Sequence, residues 1–419
     1  MSDVKMTYRS FLEKKCSGTF FTVLLYLLLF SYFYNLPVVS YSVKGTNELR
    51  LYDLLGILLF IKFFANFGLV IQQIKTIVFY KRFYEFMLYC TISILLTLFF
   101  AIINNRILVF AQAILYLYHM WVFFLGSFFL FYNLNTRKKY VRFVKFLILC
   151  IAIEMVLIIL QNLGVVPFLW GQEYYLSYDG FMSGTLGPNK IVLGMFALIS
   201  LGLIIAFLFY KEKLVPKLWV YSALGVIGIA LLLSGSRTTY VGVLVFMGYF
   251  LFKSTARFFR FAILGGVFFA VIVVSSPQIV EKIGDVLEER VTYVIDGPED
   301  VKDYEDFSGV YSELSTGRDK LHLMYVFHLI DNPGVIPLGQ GFVNRMGVGA
   351  SAHNIYLSLI NEVGIVGLFL YLRWLFSYLI IKKRRIPSFQ LALNGLVLGM
   401  LVTLFLENIY TSIGLYLLF

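Results

Sequence analysis

The chain has 419 residues, of which 60% are hydrophobic, 18% aromatic and 14% charged, and 35 Lys+Arg against 24 Asp+Glu give a formal net charge of +11. Soluble domains run at about 45–50% apolar and about 25% charged residues, and a single core could not hide 43 Phe and 29 Tyr from water. The apolar residues cluster into long runs rather than alternating, which excludes an ordinary soluble enzyme, a disordered chain and a porin-like barrel. The sequence reads as an all-α polytopic membrane protein, one integral membrane domain over 1–419.

Runs of roughly 20 apolar residues give eleven spans, over 19–39, 51–71, 84–103, 107–133, 143–163, 191–210, 218–233, 238–252, 261–275, 354–380 and 389–406. With a cytoplasmic N-terminus, the inner segments carry 21 Lys+Arg and the outer segments 11, six of these in one long loop. Every short loop obeys the positive-inside bias, so the positive charge is an orientation signal and no nucleic-acid partner is expected. The first run is long for a signal-peptide core and no A-x-A-like site follows it, so it is expected to stay as a span. The stretch from Ile409 to Phe419 is too short to cross and reads as part of a twelfth helix. Cys16 falls on the cytoplasmic side and Cys90 and Cys150 within spans, so neither a disulfide framework nor a cysteine metal site is expected.

The loop 276–352 stands out between the ninth and tenth spans. It opens with Ile279, Ile283, Val286, Leu287 and Val291 at helical spacing, continues through an acidic run from Asp296 to Asp306, a helix from Arg318 to Ile330 and a Gly-rich segment from Gly334 to Gly349. Both amphipathic stretches are expected to lie along the membrane surface. A shorter outer loop spans 164–190. No soluble segment is long enough for a nucleotide-binding α/β domain, so any chemistry must use the spans and the outer loops, on a substrate delivered to the outer face.

Four polar motifs fall where an outward-facing helix begins. These are Gly184-Thr185-Leu186-Gly187-Pro188-Asn189-Lys190, Ser234-Gly235-Ser236-Arg237-Thr238, Ser315-Thr316-Gly317-Arg318-Asp319 and Ser351-Ala352-His353-Asn354. Ser and Thr suit N-caps, Thr316 with Asp319 resembles a capping box with Asp in place of Glu, and Pro188 suits a first turn. Each such start exposes unpaired N–H groups and about half a positive charge, an anion site. Arg237 and Arg318 add planar forks for phosphate oxygens. The four starts together would suit a diphosphate at the outer leaflet.

Plainer readings compete at each position. An arginine at a membrane boundary is more often an interfacial anchor than a ligand, and a serine at a helix start is usually only a cap. His119 lies inside the fourth span and reads as a hydrogen-bonded core residue; His322 and His328, on the loop helix, read as packing or solvated. His353 differs, because a helix N-terminus disfavours the imidazolium and leaves a neutral ring able to accept a proton. The acidic run contains no D-x-D and reads as solvated. Asp53, Lys62 and Glu154 lie within spans, where charge is costly unless paired or facing a cavity; they mark a transport path or form internal pairs, and pairing is the expectation.

The motifs "SGTLGPNK", "LLLSGSRTTYVGV", "STGRDKLHLMYVFHLIDNPGVIPLGQGF" and "AHNIYLSLINEVGIVGLFLYL" resemble, in order and over roughly residues 183–372, those of the O-antigen ligase and polymerase superfamily of bacterial envelope proteins. The most specific of them is His353-Asn354 followed by Glu362, Gly364 and Gly367. The N-terminal spans resemble the family only in hydropathy. The resemblance implies a metal-independent, inverting glycosyltransferase without a cofactor, in the bacterial plasma membrane. Its donor and acceptor would be oligosaccharides on undecaprenyl diphosphate at the outer face. By similarity, Arg237 and Arg318 would hold the diphosphate and His353 would act on the acceptor hydroxyl, with Asn189, Lys190, Arg290 and Asn354 as further substrate contacts. Flippase and chain-length regulator proteins are the implied partners beside membrane lipids. A repeat-unit polymerase is favoured over a ligase acting on lipid A-core and over a protein oligosaccharyltransferase. From a different class, a lipid-linked oligosaccharide flippase would show repeat symmetry and charges spread through mid-membrane positions.

Overall fold

A computed structural model of the chain describes residues 11–40, 48–170, 182–187, 190–210, 214–256, 258–260, 277–287, 318–345, 352–380 and 387–405, with a few isolated positions besides. The described residues are overwhelmingly helical. In chain order they form α1 (Thr19–Phe33), a hairpin of β1 (Pro37–Ser40) and β2 (Glu48–Arg50), α2 (Leu51–Phe64), α3 (Phe67–Ile74), α4 (Val78–Ile103), α5 (Ile107–Asn133) and α6 (Arg137–Asn162). There follow α7 (Lys190–Leu208), α8 (Lys217–Leu233), α9 (Arg237–Lys253), α10 (Pro277–Leu287), α11 (Arg318–Asp331), the single turn α12 (Val335–Leu338), α13 (Ile355–Leu375) with a 3-10 extension over Phe376–Tyr378, and α14 (Ser388–Thr403).

Among the described residues, four helices are long and apolar enough to cross a membrane: Val78–Ile103, Ile107–Asn133, Arg137–Asn162 and Ile355–Tyr378. At 1.5 Å per residue, 26 residues reach about 39 Å, more than the hydrocarbon thickness. Thr19–Phe33, Val192–Leu208, Lys217–Leu233 and Phe389–Thr403 are shorter apolar helices packed beside them. The chain is therefore an all-α, multi-pass membrane protein. Apolar side chains such as Ile92, Leu95, Phe99, Leu244 and Phe252 face outward, while a continuous core of Phe83, Phe86, Phe123, Phe124, Phe128, Phe196, Ile199 and Trp374 joins the helices.

Ten of the eleven apolar runs fall on described helices; 261–275 lies mostly outside the described residues, as do the acidic run 296–306 and the stretch 409–419. Three runs are not the straight spans expected, one of them 354–380, which is interrupted at Gly364. The first helix ends at Phe33, because a residue preceding proline is pushed out of the helical region and Val38 and Val39 favour strand; Pro37 pairs with Arg50 and Ser40 with Glu48 in a bulged antiparallel ladder. The run 51–71 breaks at Ala65–Asn66 into α2 and α3, bent by 95°. Asn66 leaves the helical region at φ −133°. Its amide donates to Lys62 O at 2.9 Å and accepts from Lys15 Nζ at 2.7 Å, while Lys62 Nζ reaches Lys15 O at 3.1 Å. Polar anchors thus hold the corner.

The two loop helices also pack on the protein. The apolar face of α10 packs in the protein, where Ile279 and Ile283 join Ile159, Ile229 and Leu233. Helix α11 packs on α13, burying Tyr325 and Leu329. Neither leaves its apolar face to lipid alone.

The helix directions fix which ends meet. Gly194 of α7 packs against Ser236 and Thr239, and Leu198 against Gly242, so α7 and α9 run parallel. Helix α14 is antiparallel to both: Gly242 meets Gly399, Phe246 meets Gly395, and Gly202 meets Leu396. A methyl on Gly242 would lie 2.5 Å from Thr403 and 3.4 Å from Gly399 O, the small-residue approach that close membrane helices need. The end of α14 then holds the start of α13, through Ile355 N to Leu404 O at 3.0 Å and Tyr356 OH to Leu401 O at 2.5 Å.

Candidate functional site

From these registers the starts of α7, α9 and α13 and the end of α14 share one pole of the bundle. Helix α11 joins them: the His322 ring lies 6.1 Å from Phe405 and the Tyr356 ring 6.4 Å from it. Arg318 opens α11 one turn before His322. The end of α4 reaches the same pole, since Arg82 Nη1 donates to Arg373 O at 3.0 Å, Arg373 pairs with Glu85 at 3.0 Å and Phe86 contacts Tyr371, making α4 and α13 antiparallel. All four polar motifs read from the sequence therefore open helices at a common pole, from sequence positions more than 160 residues apart.

Local sequence explains the starts of α9 and α13. In the three-residue link from α8 to α9, Gly235 takes φ +57°, and the Ser236 hydroxyl accepts from Thr239 N at 3.4 Å as the N-cap. Arg237 is the first residue of α9 and half-buried. Before α13, Asn354 is the N-cap, its Oδ1 accepting from Tyr356 N at 2.9 Å and Leu357 N at 3.1 Å. That oxygen is thereby committed to the helix. His353 precedes it, half-buried, in the left-handed region at φ +48°, where few residues with a side chain rest unless the surroundings impose it. Lys190 and Arg318 open α7 and α11, their side chains outside the description; Asn189, Arg290 and Thr316 lie outside the described residues.

The loop before α7 is tied to α6. Glu154, buried, accepts from Thr185 N at 2.6 Å and Thr185 Oγ1 at 3.0 Å, and Gln161 Oε1 accepts from Gly184 N at 2.7 Å. The network runs on through Asn35, which donates to Leu186 O at 2.6 Å and accepts from Arg50 Nη1 at 2.7 Å. Asp53 then accepts from Arg50 N at 2.8 Å and meets His119 Nε2 at 2.8 Å, both carboxylate and imidazole being buried. Asp53 thus has an internal partner in His119, itself a core histidine as expected, while Glu154 is held by Thr185 and Lys62 bonds the Lys15 carbonyl.

A feature that the sequence reading gave no role lies about 14 Å along α13 from its start, at 1.5 Å per residue. The helix breaks at Gly364, φ +68° and ψ −178°, and the loop after α12 enters the break. Gln340 N donates to Asn361 O and Gly341 N to Glu362 O, each at 2.8 Å, so carbonyls released by the break are satisfied within the membrane domain. Asn361 Nδ2 donates to Asn344 O at 3.2 Å, Asn344 Nδ2 to Gln340 O at 2.8 Å, and Thr97 Oγ1 of α4 to Phe342 O at 2.8 Å. Gln340 also bonds the His328 ring. At the centre, Glu362 is 0% exposed; its Oε2 accepts from Val343 N at 3.0 Å and its Oε1 from Arg345 Nε at 2.9 Å. The Arg345 side chain is 28% exposed. The buried Tyr325 phenol faces the Ala352 backbone, Ser358, Glu362 and Arg345, and burial pushes its pKa upward, so it stays a neutral hydroxyl. The sequence signal was the glycine pair Gly339/Gly341 followed by Asn361-Glu362-Val363-Gly364.

A cavity of about 270 Å³ lies elsewhere, between Tyr32, Tyr80, Phe123, Ser127, Tyr140 and Phe207 near the opposite pole, and is lined almost wholly by apolar groups. Among the described residues, no three His, Cys, Asp or Glu side chains gather as a metal site would require. Comparison of the chain with protein-family models, with curated proteins and with solved structures returned no match.

Proposed function

We propose that the chain is a membrane-embedded glycosyltransferase that polymerises oligosaccharide repeats carried on a polyprenyl diphosphate at the outer face of a bacterial plasma membrane. The observation that carries this reading is the common pole: Arg237, the start of α11 at Arg318 and the His353-Asn354 turn converge there from distant parts of the sequence. Helix N-termini and guanidinium forks suit a diphosphate, whose charge grows as the sugar–phosphate bond breaks and which preorganised donors stabilise. In this reading His353 takes the proton from the acceptor hydroxyl, that oxygen attacks the anomeric carbon with inversion, and the lipid diphosphate leaves against Arg237 and Arg318. The activated lipid donor makes a nucleotide-binding domain unnecessary outside the cell. The reading follows a resemblance of motifs together with this geometry.

A second reading is favoured by a different observation. Helix interruptions at Asn66 and at Gly364, and the Asp53–His119 pair, are features that transporters place along a substrate path. A lipid-linked oligosaccharide flippase would use them to move the head group. Accumulation of repeats in cells lacking the protein separates the two. Single repeats facing outward support the polymerase, whereas repeats held on the cytoplasmic leaflet support the flippase; long chains left on the carrier lipid would indicate a ligase.

A further inference from the structure

We infer that Arg345 is an additional anion-binding residue of this pole, aimed at the lipid diphosphate by Glu362. The inference rests on the proposed function for the identity of the ligand, and on the broken helix for its geometry. A carboxylate with no exposure, at membrane depth, is costly unless its partners are fixed. Here each Glu362 oxygen takes a different donor, Arg345 Nε and Val343 N–H. The salt bridge therefore grips the guanidinium by its Nε edge and leaves more than a quarter of the side chain accessible. A pair of fitted apolar residues would hold a loop at least as well as a buried ion pair does, so stability alone gives little reason for these two residues.

The backbone around the pair is strained in the same sense. Val343, a β-branched residue, stands at φ +62°, and His353 at φ +48°. The first is held by Glu362; the second follows Ala352, whose backbone meets the Tyr325 phenol that also faces Glu362 and Arg345. One buried cluster thus sets both the loop that carries Arg345 and the turn that carries His353. Such strain persists only where surroundings over-determine it, and it concentrates at functional sites. Glu362 is accordingly a positioning residue, and Arg345 the group that meets the ligand.

The test uses the full chain purified in lipid nanodiscs, with undecaprenyl diphosphate and undecaprenol as paired probes and a synthetic undecaprenyl-diphosphate repeat as substrate. The wild type is expected to prefer the diphosphate strongly over the alcohol. Arg345→Gln should cut that preference at least tenfold while leaving undecaprenol binding unchanged, and should raise KM for the repeat more than it lowers kcat. Arg345→Lys, which keeps the charge, should restore part of the preference, and Glu362→Gln should resemble Arg345→Gln. A merely structural role would weaken both probes together and would gain nothing from lysine. If Arg345→Gln elongates with wild-type KM and keeps the diphosphate preference, the inference is overturned and the glycosyltransferase reading survives. If the diphosphate preference depends on Arg345 but the wild type never elongates, the anion site stands and the glycosyltransferase reading fails. Should Arg345→Gln not fold, the lysine variant decides: a diphosphate preference below wild type with undecaprenol binding unchanged supports the inference, while wild-type preference or an equal loss of both probes overturns it.

Discussion

Replacing Gly364 by alanine should destabilise the protein far more than a helix glycine normally allows. In an ordinary helix interior alanine is preferred to glycine by about 1 kcal/mol. At Gly364 the backbone stands at φ +68° and ψ −178°, a region almost closed to residues with a side chain and costing of order 1–3 kcal/mol. The added methyl would lie 2.2 Å from Pro337 O and 2.5 Å from Leu338 N. Backbone cannot swing aside as a side chain does, so overpacking adds roughly 1–3 kcal/mol more. The expected loss is about 2–6 kcal/mol, with Gly341→Ala similar because its methyl would lie 2.3 Å from Thr97 N. Thermal unfolding in detergent, followed by loss of the monodisperse peak, measures it. Gly68→Ala serves as control, since open space surrounds that residue. Equal melting of Gly364→Ala and Gly68→Ala would refute the account of a loop wedged into a broken helix.

Further outcomes follow from the buried polar groups. Asp53→Leu should cost about 3–5 kcal/mol by stranding His119 and the Arg50 N–H, whereas Asp53→Leu with His119→Leu should recover most of it; additive losses in a double-mutant cycle of melting would contradict the pairing. Thr185→Val removes one donor from the buried Glu154 carboxylate and should lower stability by about 1–3 kcal/mol, read in the same assay against Thr255→Val at an exposed position just beyond α9. Burial pushes the Cys16 thiol up to about 12. Its folded value lies above the unfolded one, so the contribution is complete below the ordinary thiol pKa and is lost as pH rises toward 12. Maleimide at pH 8 should leave Cys16 unmodified until the protein is denatured, as mass spectrometry would show.

Hydropathy located most of the helices because a membrane span must satisfy its own backbone and shed charge, and runs such as 107–133 do both. It missed the interruptions, since α2 and α3 together still read as one apolar run and the corner depends on Asn66 reaching Lys62 and Lys15. The helix starts were partly legible from cap chemistry: Ser236 is the N-cap observed, but α13 is capped by Asn354 rather than by a serine or threonine. The meeting of these starts at one pole was not legible, because it depends on the directions of α7, α9, α13 and α14, which spacing does not encode. The Arg345–Glu362 pair was invisible for a similar reason. Seventeen residues and a helix start separate the two in sequence, and Arg345 there looks like any other loop charge.

Polymerising activity is read by giving the purified, reconstituted protein a synthetic undecaprenyl-diphosphate repeat and following product length on a gel. Wild type should form ladders of longer glycan, with and without a chelator, while His353→Ala and Arg237→Ala, correctly inserted and monodisperse, should form none. Ladders from His353→Ala at the wild-type rate would contradict the account.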